Sequence, residues 1–212
     1  MTHIGTLETK LAEGKISRRN FISAAIAMGI ATTTAVGMAD RAMAAPKQGG
    51  RLRQALGHGS TTDSLDPSTH ENGYMQNVAY TYCNNLTEVD SDGVLKGELA
   101  ESFEASADAK TWTFKLRKGL EFHNGKTVTS DDVVTSFNHH RGPDAKSSAA
   151  ALLEQLESIT TDGADTVVFT LKGGNADWPF IVSDYHLLIH PSKGDKSDWQ
   201  SGIGTGADKI EN

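Results

Sequence analysis

The chain has 212 residues, of which 37% are hydrophobic and 22% charged, and its formal net charge is −7 at pH 7. This composition is that of a globular protein without low-complexity tracts, and the acidic balance disfavours nucleic acid and anionic membranes as partners. Cys83 is the only cysteine, which excludes an internal disulfide, and we expect its side chain to pack among apolar groups.

The segment before residue 45 has the features of an export signal. Arg18 and Arg19 precede a run from 20 to 39 that carries no charge and is only mildly apolar, with three threonines at 32–34. A charged leader before such a run is typical of a signal peptide, and adjacent arginines are typical of the twin-arginine class, which exports folded proteins. The alternative is an uncleaved membrane anchor, because about 20 apolar residues can span a bilayer.

The expected cleavage site follows at Ala42-Met43-Ala44, where small residues flank Met43. We therefore expect residues 1–44 to be a twin-arginine signal peptide that is removed between Ala44 and Ala45. The remaining 168 of the 212 residues fit one ordinary domain. They carry a net charge of −9, because the leader's own net charge is +2.

Two segments between residues 45 and 126 have a clear periodicity. Residues 73–86 place Tyr74, Val78, Tyr82 and Leu86 four residues apart, which predicts a helix. Residues 111–117 alternate apolar and polar side chains, which predicts a half-buried strand. Further predictions in this part are a short strand at 49–57, a hairpin at Asp92-Gly93 and a turn at Asn124-Gly125.

The following segment begins with a predicted helix over 129–140. Thr129 is a suitable N-cap, and Asp131 and Asp132 place negative charge at the positive end of the helix dipole. This position explains the two carboxylates without a role in acid–base catalysis. Further predictions are a helix at 147–159, a hairpin at Asp162-Gly163, a short helix or bend at Pro179, an apolar strand at 187–189 and a flexible glycine-rich turn at 202–206. Helices and strands without a regular βαβ rhythm predict a mixed α/β or α+β fold.

No motif for covalent chemistry is present. The sequence contains no Gly-x-Ser-x-Gly elbow, no phosphate loop and no pair of histidines four apart on a predicted helix with a catalytic glutamate. We expect His139 and His140 to lie on the surface at a helix end, where positive charge suits the dipole. A metal site built from histidines is the less favoured alternative.

Several ordered motifs resemble one family. Residues 99–137, LAESFEASADAKTWTFKLRKGLEFHNGKTVTSDDVVTSF, resemble the signature region of the peptide-binding class of solute-binding proteins of ABC importers, whose members bind oligopeptides, dipeptides or nickel complexes. The segments that match the family pattern are Leu65-Asp66-Pro67, 99–103, 111–119, 122–132 and 166–171. An export signal agrees with such a protein.

The resemblance implies the N-terminal portion of a two-lobed fold of the periplasmic-binding-protein type II class. Residues 45–86 would begin ligand-binding lobe one, 87–160 would form an inserted accessory subdomain, and 161–212 would return to lobe one. Family members continue for several hundred further residues, so we expect this chain to be a truncated product or a fragment. The function implied is periplasmic capture of a peptide or small solute for an ABC permease, after export by the twin-arginine translocase, without catalysis, cofactor or metal.

The candidate ligand-binding residues lie in two segments. The first is the loop that contains His58, Ser60 and Thr61. The second is Ser183-Asp184-Tyr185, where polar and aromatic groups precede the predicted apolar strand, a position at which pockets tend to form. The alternatives are a secreted interaction module that does not transport, which an exposed apolar patch would favour, and a secreted hydrolase.

Overall fold

A computed structural model of the protein describes residues 3–44, 51–143 and 145–211. The chain divides into two compact units, Met1–Ala55 and Leu56–Asn212. The first unit contains α1 (His3–Ala12), α2 (Arg18–Ala27) and α3 (Thr32–Ala44). The described residues of the second form a four-stranded sheet, two small hairpins, three further α-helices and three 3₁₀ turns. Mixed helix and sheet confirm the predicted fold class.

The first unit is held by small and apolar side chains from all three helices, namely Leu11, Phe21, Ala25, Ala35 and Ala39. Ser17 caps α2, because its Oγ accepts a hydrogen bond from the Asn20 amide at 3.1 Å. Arg18 follows this cap and pairs with Asp40 at 3.0 Å. Within the described ranges, no helix is long and apolar enough to cross a membrane. Ala44 ends α3, whereas Ala45, on the other side of the predicted cleavage site, lies outside the described residues.

The second unit begins with loops and short elements. A 3₁₀ turn at Pro67–Thr69 precedes α4 (Gly73–Tyr82), and β1 (Thr87–Val89) pairs with β2 (Leu95–Gly97) in the hairpin predicted at Asp92-Gly93. The strand predicted at 49–57 is wrong for residues 51–57, which are exposed and form no ladder; residues 49–50 are not described.

The main sheet is antiparallel, with strand order β3-β4-β6-β5. Its strands are β3 (Ala100–Ala105), β4 (Thr111–Leu116), β5 (Leu156–Thr161) and β6 (Thr166–Leu171). On β4, Trp112, Phe114 and Leu116 are buried while the residues between them are exposed, as the alternation predicts. The helix predicted at 147–159 is wrong: only a 3₁₀ turn at Ala150–Leu153 forms, because Leu156–Thr161 pair with β6.

Helix α5 (Ser130–His139) covers one face of this sheet. Asp132 closes its N-terminus, since the backbone amide and Oγ1 of Thr129 donate to Asp132 Oδ2 at 2.8 Å and 2.9 Å. Phe169 of β6 is central to the core: the centroid of its ring lies 5.0 Å from that of Phe137, 5.3 Å from Phe114 and 5.4 Å from Trp178. Burial of each such side chain contributes roughly 1.5–3 kcal/mol.

The remaining elements are short: α6 (Trp178–Ile181), the hairpin β7 (Ser192–Lys193) and β8 (Lys196–Ser197), and a 3₁₀ turn at Trp199–Ser201. Of the short helix or bend predicted at Pro179, the structure has the helix. Leu187–Ile189 are buried but form no strand, which corrects the predicted apolar strand. Their backbone groups bond instead to the segment that follows α4, because the Ile189 amide donates to the Asn84 carbonyl at 3.0 Å and Asn85 Nδ2 donates to the Leu187 carbonyl at 2.9 Å.

The glycine-rich segment 202–206 packs against the end of α4 and is not the flexible turn predicted from its composition. The Gly206 amide donates to the Tyr82 carbonyl at 2.8 Å. A Cβ on Gly204 would lie 2.0 Å from the Tyr82 carbonyl oxygen and 2.6 Å from Cys83 Sγ. Cys83 itself is fully buried, which confirms its packing role.

Substituting Gly204→Ala is expected to lower the free energy of unfolding by about 2 kcal/mol, because the added methyl group must displace the backbone of α4. The matched control is Gly173→Ala, since a Cβ there meets nothing within 4 Å. Urea denaturation of both variants measures the difference. Equal midpoints would contradict the close packing of this segment.

Candidate functional site

Helix α4 is the element around which the predicted ligand-binding segments gather. Asn72 is the N-cap of this helix, because its Oδ1 accepts a hydrogen bond from the Met75 amide at 2.9 Å. Met75 and Ala79 face the interior, whereas Tyr74 and Tyr80 are 40% and 48% exposed. Clefts border the helix on both sides of this exposed surface.

The Ser60 cleft, of about 570 Å³, lies between loop residues 59–65 and the side chains of Tyr74, Met75 and Val78. The loop is ordered by Asp63, whose Oδ2 accepts from the Ser60 amide at 2.7 Å and whose Oδ1 accepts from Asn72 Nδ2 at 2.7 Å. The loop is therefore fixed to the start of α4.

Two further clefts meet at Tyr80 and Ser183. The Glu98 cleft, of about 370 Å³, is lined by Tyr80, Asn85, Thr87, Glu88, Val89, Glu98 and Ser183. The Asp184 cleft, of about 450 Å³, is lined by Gln76, Tyr80, Leu152, Asp177, Phe180, Ile181, Ser183, Asp184 and Tyr185. Tyr80 thus separates two cavities on the same side of α4.

The structure places the predicted residues in more than one cleft. Ser60 and Thr61 line the Ser60 cleft, whereas Ser183, Asp184 and Tyr185 line the Asp184 cleft. His58 lines neither cleft; it is exposed, with a backbone φ of 69°. The two segments therefore flank α4 without sharing one cavity, and their role in ligand binding stays a prediction.

Of the residues that line the Glu98 cleft, sequence reasoning identified only Ser183. Asn84 Nδ2 and the Asn85 amide donate to the two carboxylate oxygens of Glu98, and these contacts fix its orientation. Burial nevertheless raises the pKa of Glu98 above its ordinary value, against the opposing effect of both hydrogen bonds. One sequence feature could have indicated this cleft: the Asn84-Asn85 pair comes directly after the predicted helix. Asparagine side chains bond readily to nearby backbone groups, which makes them common in turns and caps.

The carboxylate of Asp184 is bound by His186, whereas that of Glu98 is bound by two asparagines. Its Oδ1 lies 2.6 Å from His186 Nδ1 and accepts from the His186 amide at 3.0 Å. Burial alone would raise the pKa of Asp184, but the bonds to His186 outweigh it and lower the pKa. The carboxylate in this cleft is therefore ionised at neutral pH. The ring of Tyr185 lies against that of His186, with 4.0 Å between centroids.

The prediction that His139 and His140 lie on the surface is wrong. His140 is 1% exposed, and its Nδ1 lies 2.6 Å from Ser147 Oγ. His139 is partly buried, and its Nε2 lies 2.7 Å from Asp66 Oδ1. Both are enclosed because chain segments on either side of α5 fold over its C-terminal end.

These two residues belong to a histidine cluster whose other members, His70, His186 and His190, are buried together with His140. Burial lowers the pKa of His140 and of His190 to about 3 each, and the neighbouring His139 acts in the same direction. Burial also lowers the pKa of His70. Across the described part of the chain, no three His, Cys, Asp or Glu side chains are placed to hold a metal ion.

Comparison with known proteins identifies a family and relatives that this chain resembles. A family model described as bacterial extracellular solute-binding proteins, family 5 Middle, matches residues 94–212. The periplasmic oligopeptide-binding protein OppA of Haemophilus influenzae is 33% identical over 64% of this chain and 24% of its own length. The glutathione-binding protein GsiB of Escherichia coli is 31% identical over 80% of this chain and 30% of its own length.

Solved structures of binding proteins also match this chain. The binding protein AgaA from A. tumefaciens R10, in complex with agropinic acid, matches with a TM-score of 0.64 and 29% identity, over 70% of this chain and 31% of AgaA. OppA of Haemophilus influenzae, in complex with the peptide RPPGFSPFR, matches with a TM-score of 0.63 and 27% identity, over 70% of this chain and 34% of OppA. The chain thus spans about a quarter to a third of the length of these relatives.

Proposed function

Because the chain belongs to the bacterial extracellular solute-binding proteins, family 5, we propose that it forms part of a receptor that captures peptides or related small solutes for an ABC importer. The observation that carries this proposal is that residues of α4 line clefts to which both predicted ligand-binding segments also contribute. The relatives are named for binding oligopeptides and glutathione, and we extend that solute class to this chain.

Capture in these clefts needs no covalent step. Ser60, Thr61 and Ser183 supply hydroxyl groups, Asp184 supplies a carboxylate and Tyr185 supplies an aromatic face. Such groups bind a solute reversibly by hydrogen bonds and apolar contact. The relatives are solute-binding proteins rather than enzymes, which agrees with this mechanism.

The architecture proposed for the whole receptor has two lobes that close over the solute, and a permease that reads the closed form. We assign residues 45–86 to the start of lobe one, 87–160 to the accessory subdomain and 161–212 to the return to lobe one. The compartment proposed is the periplasm, where relatives such as OppA operate.

Thermal unfolding in the presence of short peptides tests capture directly. A solute that binds only the folded chain stabilises it by about 2.7 kcal/mol at a concentration 100 times its Kd. We expect di- and tripeptides to raise Tm, and the variant Tyr74→Ala to reduce this increase. The control Thr113→Ala, on the exposed face of β4, should respond like the unmodified chain. A folded chain whose Tm is unchanged by every peptide at millimolar concentration contradicts the proposal.

Export by the twin-arginine pathway is a separate proposal. We expect the double substitution Arg18→Lys and Arg19→Lys to abolish export although the charge is kept, because a translocase receptor reads the guanidinium pair as an address. The control is Lys15→Arg. Fractionation of cells should find the double variant in the cytoplasm as the uncleaved precursor, and the mature control should begin at Ala45. Undiminished export of the double variant would exclude this route.

A further inference from the structure

The first unit, Met1–Ala55, contains the arginine pair on which the export proposal depends. Arg18 and Arg19 are the first two residues of α2, directly after the N-cap Ser17. The N-terminus of a helix is its positive end, so two guanidinium groups there are unfavourable unless negative charge lies nearby. The fold brings that negative charge from a distant part of the leader.

The carboxylate of Asp40 binds Arg18 between two helices of the unit. Nε and Nη2 of Arg18 each lie 3.0 Å from Asp40 Oδ1, although the two residues are 22 positions apart in the chain. These two nitrogens form one edge of the guanidinium group, and arginine uses such an edge to bind acceptors in a partner molecule. Asp40 therefore occupies a group that a receptor for the arginine pair has to contact.

Helix packing holds the two side chains in this arrangement. Phe21 of α2, three residues after Arg18, is fully buried, and Ala39 of α3 is fully buried as well. Asp40 directly follows Ala39. Leu11 of α1 belongs to the same apolar cluster, and each of the three helices contacts the other two. The pairing of Arg18 with Asp40 is therefore coupled to the closed state of the three-helix unit, and opening the unit frees Arg18.

We propose that the folded leader inhibits its own export, because Asp40 competes with the receptor of the twin-arginine translocase for the guanidinium group of Arg18. The competing carboxylate belongs to the same chain, so its effective concentration at Arg18 is high. Recognition by the receptor then requires the unit to open. This inference rests on the proposed export by the twin-arginine pathway and concerns the regulation of that signal.

Two features of the unit limit the size of the inhibition. The side chains of Arg18 and Asp40 are 45% and 60% exposed, and solvent and salt weaken an ion pair of this kind. Three of the five side chains in the buried cluster are alanines, and so small a core stabilises a unit of this size only marginally. We therefore expect the closed leader to slow recognition severalfold without preventing it.

Transport of the full-length precursor into inverted inner-membrane vesicles tests the inference. Transport is scored as protection from added protease, so that removal of the leader by a peptidase does not affect the measurement. We expect Asp40→Asn to raise the initial rate about two- to fivefold, because it removes the competing carboxylate and keeps the size of the side chain.

Two controls separate the contact from the charge of the leader. Glu13→Gln removes the same charge from a carboxylate that pairs with Lys15 at 2.7 Å, and it should leave the rate unchanged. Asp40→Glu keeps the carboxylate, and it should be transported at about the unmodified rate. Equal rates for Asp40→Asn and Glu13→Gln would overturn the inference.

A second variant opens the unit without changing either partner of the ion pair. Leu11 is buried in the apolar cluster and lies seven positions before Arg18. Leu11→Ala removes contacts that hold α1 against the other helices, so we expect it to raise the rate about twofold or more. A rate that is unchanged or lower would show that closure of the unit does not inhibit recognition.

Failure of this inference is distinct from failure of the export proposal. Undiminished transport of the double variant Arg18→Lys and Arg19→Lys would contradict the twin-arginine route and the inference together. Loss of transport in that double variant, with Asp40→Asn as slow as the unmodified precursor, would leave the route intact and overturn the inhibition by Asp40.

Discussion

Replacing Phe114 by alanine is expected to lower the free energy of unfolding by about 4 kcal/mol, which is a large part of the stability of a domain of this size. Phe114 is fully buried on β4. Its ring centroid lies 5.6 Å from that of Phe103 and 5.3 Å from that of Phe169. The substitution leaves a cavity between neighbouring strands of the sheet, and these strands cannot close it without breaking their ladder.

The neighbouring residue supplies the control for this prediction. Thr113 lies on the same strand with its side chain exposed on the opposite face, so Thr113→Ala should change the free energy of unfolding by less than about 0.5 kcal/mol. Chemical denaturation of both variants gives the comparison. A loss below about 1 kcal/mol for Phe114→Ala would show that this sheet face is not the core.

Lowering the pH from 7.5 to 4.5 is expected to destabilise the fold by about 2 to 3 kcal/mol for each of His140 and His190. Burial lowers the pKa of both side chains to about 3, from the ordinary 6.5. The unfolded chain therefore binds more protons than the folded chain between these two values. The contribution of these neutral histidines to stability is fully present above pH 6.5 and is lost as the pH falls towards 3. Burial lowers the pKa of His70 as well, so this side chain changes stability in the same direction.

The pH range in which stability is lost distinguishes the carboxylates from the buried histidines. Bonds from His139 and Ser68 outweigh burial and lower the pKa of Asp66 to about 2. The contribution of ionised Asp66 to the free energy of unfolding is therefore lost only as the pH falls below 3.8, the ordinary pKa of this carboxyl group. Glu98 acts in the opposite sense to the histidines, because burial raises its pKa.

A variant of the cluster should change the slope of stability against pH. His140→Gln removes one titrating group, so we expect a flatter decline between pH 6.5 and 4.5, with some loss of stability at pH 7.5. His58→Gln, on the exposed loop, should leave the slope unchanged. Denaturant titrations at several pH values measure both. An identical slope for the two variants would contradict the assignment of the acid sensitivity to buried histidines.

Local sequence signals predicted those parts of the fold that local interactions determine. The alternation on β4 and the capping residues at Thr129 and Asp132 are such signals, because each depends on neighbours within a few residues. Helical propensity failed at 147–159, where pairing with β6 outweighs it. Glycine composition suggested flexibility at 202–206, although the glycines there are needed for close backbone approach to α4.

The same distinction applies to the candidate site. Ser60, Thr61 and Ser183–Tyr185 could be proposed from loop chemistry and from the family resemblance. The set of residues around the Glu98 cleft could not, because hydrogen bonds from Thr87 to Pro179 and from Asn85 to Asp184 join residues 92 and 99 positions apart. Burial of His140 likewise depends on segments that only the folded chain brings together.

Residue-by-residue mapping of solute binding tests the central claim most directly. Backbone amide signals of the isotope-labelled full chain would be followed by NMR during titration with trialanine. Capture along α4 predicts that the changes concentrate at 59–65, Tyr74, Tyr80, Asn85 and 183–185, while Thr113 and Lys115 on the exposed face of β4 stay unchanged. Changes confined to that exposed face, or none in a folded chain, would contradict the assignment of this surface to solute capture.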